Sequence, residues 1–213
     1  DYHIDGLTAA EVAAAAVRAR AAQKAWLSGG LTARGQAMTR FADIAEKHMD
    51  AIVSALSIDT GRRKIARDEV SGFIGMIRGW VIQAPMLMPG SEWQQGRMKP
   101  NFKHSQTYVP YSLVGVISPW NFPLTLSFID AVPALMAGAC VLIKPSEVTP
   151  RFADALGPVI HEAGLEDIIT FVQGGGETGA ALIDCVDNIC FTGSVPTGRK
   201  VAMGAAKNLI PAN

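Results

Sequence analysis

The sequence predicts an α/β fold in which a doubly wound parallel sheet follows a layer of helices, and three observations carry this prediction. Four short apolar runs, "LVGVI" (113–117), "CVLIK" (140–144), "IITFV" (168–172) and "NICFT" (188–192), lack polar and apolar alternation, the pattern of strands covered on both faces. Between and after them lie segments of helical character, about 123–137, 150–163, 177–184 and 196–207, and strands joined by helical crossovers run parallel. Before about residue 85 the chain is helical in rhythm throughout.

The first helix, "TAAEVAAAAVRARAAQKAWLSGG", opens with Thr8 and Glu11 in capping-box register and closes at Gly29 and Gly30. A second helical stretch runs from Thr32 to Gly61, with Phe41, Ile44, Ala45, Ile52, Val53 and Leu56 at helical spacing. A third, about Ile65 to Ala84, contains Gly72, Gly75 and Gly79, whose spacing suggests close approach of another helix. Residues 85–104 are rich in Pro, Gly and polar side chains and break the pattern, and "SQTYVPYSLVGVIS" then reads as extended chain. The expected organisation is a helical layer with its linker over 1–104, an extended segment over 105–112 and the parallel-sheet domain over 113–213.

Composition narrows the partners. With 213 residues the chain can bury a real core, and its 19 basic and 19 acidic side chains give zero net charge. The basic footprint of a nucleic-acid binder is missing. No run approaches the ~18 consecutive apolar residues of a membrane span, and "DYHIDGLTAAEV" has neither a basic leader nor a cleavable apolar segment. A cytoplasmic protein with no nucleic-acid and no membrane partner is expected. Cys140, Cys185 and Cys190 form no C-x-x-C pair and have no histidines at metal spacing, so neither a disulfide framework nor a metal site is expected. Cys140 and Cys190 sit in apolar runs, where free cysteine behaves as a small hydrophobe.

In open parallel sheets ligands sit outside the carboxyl ends of the strands, near the point where strand order reverses. The four runs are followed by "SPWN", "KPSE", "QGGGETG" and "TGSVPTG". Pro and Gly are ordinary turn residues, so one such turn carries little information; four on one edge favour a ligand site. "GGGETG" fits G-x-G-x-x-G at Gly174, Gly176 and Gly179, but no acidic residue follows at about 20 positions to hold a ribose. "GSVPTGRK" has the Gly193 to Gly198 spacing of a P-loop, yet Arg199 and Lys200 stand where Lys and Ser or Thr belong, which excludes a nucleoside triphosphatase. What remains is Gly193 and Ser194 opening a helix, where free N–H groups and the dipole favour a phosphate. Lys144 would direct a cation toward ribose or phosphate oxygens. Glu147 would accept from ribose hydroxyls and repel a 2'-phosphate; the ordinary alternatives are a surface ion pair, or a carboxylate answering the next helix dipole. In "SPWNFPL", Asn121 lies between Trp120 and Phe122 at a strand end. The ordinary alternative there is a packed turn with both rings in the core and Asn121 capping backbone.

"GVISPWNFPL", "PALMAGACVLIKPSEVTP", "EAGL", "VQGGGETGAAL" and "NICFTGSVPTGRKVAMGAA", taken together in this order and spacing, resemble the aldehyde dehydrogenase superfamily. The resemblance is specific from Thr107 onward and weaker over the first helices. It implies a Rossmann-like domain for NAD, with NADP less favoured, and a small β element for assembly into a homodimer or homotetramer, of which "SQTYVPYS" would be part. By position, Asn121 corresponds to the oxyanion-stabilising amide. Ile117, Ser118 and Trp120 would line the cofactor cleft, Lys144 and Glu147 the adenosine ribose, and Gly174 and Gly179 the adenine end. Phe191, Gly193 and Ser194 would border the pyrophosphate, with Gly198 closing that turn. Val195 stands where many members have Thr.

The reaction so implied is oxidation of an aldehyde to a carboxylic acid through a thioester. A neutral amide such as that of Asn121 can be aimed at the developing oxyanion, and one such donor is worth about 2.7–4 kcal/mol of barrier. The family's general-base glutamate lies in an "ELGG"-type motif just beyond the segment that reads "LIPAN" here, and its nucleophilic cysteine follows later. Neither motif occurs, so the expectation is an N-terminal portion of a longer enzyme, inactive alone. Two alternatives stay open: a CoA-acylating or acyl-phosphate-reducing relative, and a truncated module that binds a dinucleotide or a partner without catalysis.

Overall fold

The computed structural model describes residues 3–88 and 92–213; residues 1–2 and 89–91, which belong to the helical layer and its linker, lie outside the described residues. Four helices come first: α1 (Ala9–Ser28), α2 (Gly30–Lys47), α3 (Met49–Thr60) and α4 (Arg63–Leu87). A two-residue antiparallel pair follows, β1 (Gln94–Gln95) with β2 (Lys103–His104). The remainder alternates as β3 (Leu113–Ile117), α5 (Pro123–Ala137), β4 (Cys140–Lys144), α6 (Arg151–Ala163), β5 (Ile169–Phe171), α7 (Gly176–Ile183), β6 (Asn188–Phe191) and α8 (Val195–Lys207).

The sheet is parallel with order β5-β4-β3-β6. Every residue of β3 and β4 is buried, as unbroken apolar runs require. Helices α1 and α7 pack on β3 and β4, as does α5, which α4 covers in turn. The chain moves outward from β3 to β4 and β5, then returns to the other side of β3 as β6. Residues 211–213 continue that side: the Ile189 N–H bonds the Pro211 carbonyl (3.0 Å) and the Asn213 N–H the Ile189 carbonyl (3.0 Å). "PAN" has no apolar run, so its sequence does not announce this pairing.

Several expectations change. The stretch from Thr32 to Gly61 is two helices, broken at His48, whose backbone leaves the helical region (φ −93, ψ 10). Its apolar periodicity passes through the break because both helices turn their buried residues toward α4. Gly72 and Gly75 are exposed and a Cβ there would meet nothing within 4 Å. They lie opposite the buried face of Phe73, Ile74 and Ile77, so the glycine spacing marks a solvent side and no close helix approach. The antiparallel pair lies just before residues 105–112, the segment expected to be extended, which belongs to neither of its strands. α4 is long and apolar enough by composition to cross a membrane, but its buried face packs on α2, α3 and α5 as a core helix does.

The helical layer and the sheet share one core. The rings of Phe41, Phe73 and Phe128 meet at 4.8–6.2 Å, and Phe128 and Phe152 each contact Phe171 on β5, at 6.3 and 5.7 Å. Tilted and edge contacts of this kind are the favoured aromatic geometry. α5 is held at both ends by side chains of the layer. At its C-terminus the carbonyls of Leu135, Met136 and Gly138 accept from Trp26, Arg34 and Gln23 (3.0, 3.0 and 2.9 Å). At its N-terminus one oxygen of buried Glu69 accepts from the Leu124 and Thr125 N–H groups (3.0 and 2.9 Å). A cation at the carboxyl end and an anion at the amino end both suit the helix dipole. The start of α6 is tied likewise, by Asp59 accepting the Arg151 N–H (2.9 Å) and pairing with its guanidinium.

Arg20 of α1 grips both oxygens of Asp187 (2.8 and 2.7 Å), which also accepts the Leu113 N–H (2.9 Å) at the start of β3. Burial pushes the Asp187 carboxyl up, but the bonds from Arg20 and the backbone outweigh it and hold the group below its ordinary range. A carboxyl so depressed contributes stability above its unfolded pKa of about 3.9 and loses it as pH falls through the folded value. Asp187→Asn is expected to cost about 1–2 kcal/mol at neutral pH, less than a fully buried pair because water screens these groups. Urea denaturation at neutral pH and at about pH 3 measures this: the deficit should shrink in acid, and an equal deficit at both would refute the role.

Candidate functional site

The turns after β3, β4, β5 and β6 all leave the carboxyl edge of the sheet, as parallel strands dictate. A cleft of about 850 Å³ opens there, between the turns after β3, β4 and β6 and helices α7 and α8. It lies beside the β3–β6 boundary, where the strand order reverses, the position expected of a ligand in such a sheet. Its volume is within the roughly 300–1,000 Å³ of small-molecule sites. All the residues singled out from the sequence line it except Gly174 and Gly198.

Trp120 and Phe122 are exposed, at 58% and 39%. The alternative in which both rings fill the core is therefore wrong. Asn121 is exposed too, and among the described residues its carboxamide bonds no protein group. It caps no backbone, since Glu69 performs that task on α5. Its own carbonyl oxygen accepts from Arg62 Nη2, and the Arg62 guanidinium lies 4.9 Å from the centre of the Phe122 ring. Ser118 is buried and its hydroxyl is turned away toward α5, sharing a hydrogen bond with Ser127 (2.7 Å). It pins the turn to the helix and offers the cleft little more than surface. The Thr149 hydroxyl donates to the Trp120 carbonyl (3.1 Å), locking the β3 and β4 turns together.

Lys144 ends β4 with its stem buried beneath α7; a Cβ on Gly179 would lie 3.4 Å from Lys144 Cδ. Its ammonium donates to the Pro145 carbonyl (3.0 Å) and to Glu147 (3.3 Å). Burial pushes the Lys144 pKa down, and the Glu147 charge opposes the shift. Glu147 is largely exposed and lies in the turn before α6, so it does not serve in that helix's first turn. A lysine held in this way is a fixed cation at the mouth of a cleft, with a carboxylate beside it.

Gly193 has a close neighbour: a Cβ there would come within 2.5 Å of Phe191 Cζ. The absence of a side chain lets the Phe191 ring lie against the opening of α8, and a Cβ on Gly198, which is outside the cleft lining, would lie 3.1 Å from Cε1 of the same ring. Ser194 caps α8 by accepting the Thr197 N–H (3.4 Å). Gly174 has φ +146, and a Cβ would collide with the Thr178 side chain and press on Gly6. It fastens the segment before α1, where Leu7 bonds Gln173 and Thr178 (both 2.9 Å). Sequence reasoning missed Lys200 and Lys207, which line the cleft with Thr197 and Gly204 along one stripe of α8. The signal was present, since positions three, four and seven apart share a helix face. These lysines add positive charge along the α8 wall of the cleft, Lys200 toward its N-terminal half and Lys207 at its last turn.

The doubly wound fold and the polar cleft at its reversal point define a ligand-binding α/β domain of the dinucleotide type. The aldehyde dehydrogenase family model matches residues 2–213, and the chain belongs to that family. A putative succinate-semialdehyde dehydrogenase (NADP(+)) of Mycolicibacterium smegmatis is 37% identical over 206 residues, covering 95% of this chain and 40% of the relative. A betaine aldehyde dehydrogenase of Rhizobium leguminosarum bv. trifolii is 35% identical over 213 residues, covering 95% of this chain and 42% of its own length. Among solved structures, a putative aldehyde dehydrogenase PutA from Anabaena variabilis superposes with TM-score 0.96 at 44% identity, over 100% of this chain and 45% of that one. The betaine aldehyde dehydrogenase of Staphylococcus aureus in complex with NAD+ superposes with TM-score 0.90 at 25% identity, over 99% of this chain and 43% of that one. The chain thus spans 40–42% of the curated relatives named here.

The cysteines behave as packing groups. Burial, with Asp167 nearby, pushes the Cys140 thiol up to about 12, and burial with Asp130 nearby pushes Cys190 up to about 11. Reactive thiolates need depressed values and access. Iodoacetamide at about pH 8 should therefore leave both unlabelled in the native protein and label both in urea; mass spectrometry of labelled peptides would expose a reactive thiol as rapid native labelling.

Proposed function

We propose that the protein to which this chain belongs oxidises an aldehyde to a carboxylic acid with NAD, and that this chain supplies the cofactor cleft and the oxyanion donor. The observation that carries the reading is the Asn121 carboxamide, which bonds no group among the described residues, on a turn that also borders the dinucleotide-sized cleft. The dinucleotide, when bound, supplies the hydride acceptor. The residues present suit it: a buried cationic stem at Lys144, the α8 N-terminus bared by Gly193, and the lysines of α8. Asn121 would donate an N–H to the substrate oxygen as negative charge develops there, and being neutral it would do so without titrating near neutral pH. Glu147 supports NAD over NADP, because its carboxylate would repel a 2'-phosphate. The Mycolicibacterium relative carries NADP in its name, so the comparison of cofactors is decisive for this point.

A cytoplasmic homodimer or homotetramer is the form we propose. Trp93, Met98, Phe102, Tyr108 and Val109, all exposed around and beyond the β1–β2 pair, support an assembly surface.

In the intact protein, with succinate semialdehyde and propanal as probe aldehydes, Asn121→Ala should lower kcat about 10²–10³-fold, the cost of one oxyanion donor. The Kd for NAD should hardly change. Unchanged turnover would remove Asn121 from the chemistry. NADH formation read by absorbance should give a higher kcat/KM for NAD than for NADP, and Glu147→Gln should narrow the gap. A wild-type preference for NADP would reverse the role given to Glu147.

A further inference from the structure

We infer that Arg62 and Glu69, which lie on the helical layer and outside the cleft, are positioning residues that fix the direction of the Asn121 carboxamide. The inference rests on the oxyanion reading of Asn121 and adds the device that makes that side chain available.

α5 starts without a local cap. Its N-cap residue, Phe122, has no side chain to accept a hydrogen bond, and Pro123 contributes no N–H. The first free donors are on Leu124 and Thr125. On α1 and α8 such donors are met locally, by Thr8 and Ser194. At α5 the nearest side chain of a good capping type is Asn121 itself. A cap formed by Asn121 would turn its carboxamide into the helix and away from the cleft. Glu69, only 6% exposed, takes that place from a different helix, with one oxygen on both N–H groups at 3.0 and 2.9 Å.

Burying a carboxylate is costly unless it is bonded and faced by positive charge. Here the two N–H groups and the nearby Arg62 guanidinium provide both, against the burial that pushes the Glu69 carboxyl up. Arg62 then reaches past Glu69 to the turn. It donates to the Asn121 carbonyl and covers the Phe122 ring at 4.9 Å. The backbone is thus held just after the Asn121 side chain, at its own carbonyl by Arg62 and at the Leu124 and Thr125 N–H groups by Glu69, while just before it the Trp120 carbonyl accepts from Thr149. Neither residue lines the cleft, so neither should contribute to dinucleotide affinity.

The test uses the intact protein with succinate semialdehyde as the probe aldehyde. Arg62→Met and Glu69→Ala should lower kcat, by up to the roughly 10²-fold that a displacement of about 1 Å can cause, with Kd for NAD unchanged. Arg62→Lys and Glu69→Gln, which keep a donor and an acceptor, should restore most of the rate. In an Asn121→Ala background Arg62→Met should have no further effect on kcat. A full multiplicative loss there would overturn the inference, because Arg62 would then act by another route. Hydrogen exchange separates this from the oxyanion reading. In Arg62→Met or Glu69→Ala, protection should fall in peptides covering residues 118–126 and persist in the rest of α5. Unchanged protection at 118–126, or loss spread evenly over the protein, overturns the inference whatever Asn121→Ala does to turnover.

Discussion

α5 opens on Phe122 and Pro123, and its first free donors, on Leu124 and Thr125, are met from another part of the chain. The carboxylate of Glu69 meets them from within the core. An unmet pair of N–H groups at a buried helix start would cost on the order of 1–3 kcal/mol each, so the β3–α5 turn can adopt its observed form only where α4 presents that acid. The helical layer is in this sense a part of the site. It holds the other end of α5 through Arg34, Gln23 and Trp26, and the start of α6 through Asp59.

Anchoring both helices leaves their preceding turns free of capping duty. The β3 turn sends Trp120 and Asn121 outward, and the β4 turn offers Lys144 and Glu147. Thr149 binds one turn to the other. The cleft between them and α8 therefore has walls set by rigid elements, which is the condition for polar groups to be worth more at a site than in water. Charge follows the same plan: buried acids sit behind the helix starts, while Lys144, Lys200 and Lys207 face the open side.

Much of this was legible in the sequence. The four strands and their following helices fall within a residue or two of where unbroken apolar runs and turn residues placed them, because burial on both faces leaves no other pattern. Asn121, Lys144, Glu147, Phe191, Gly193 and Ser194 all reach one cleft, since every turn that follows a parallel strand exits on the same edge. Reasoning failed where one sequence pattern serves two structures. Gly72 and Gly75 have the spacing of a packed helix face and occupy a solvent face. Ser118 has the chemistry of a ligand donor and spends it on Ser127. Gly174 has the position of a phosphate-loop glycine and serves to lock the chain before α1. The break at His48 left no mark because the apolar rhythm is unbroken on either side of it.

The sequence by itself determined the fold class, the edge on which a ligand would lie and the family, since these depend on periodicity and on residues close together in the chain. Only the tertiary structure decided that Glu69 rather than Asn121 caps α5, that Arg62 holds the Asn121 carbonyl, and that Lys200 and Lys207 complete the cleft. Those facts depend on which distant groups a buried donor or charge can find once water is excluded. A "DEVSG" segment in a helix shows nothing of the N–H groups 55 and 56 residues away that its glutamate will meet.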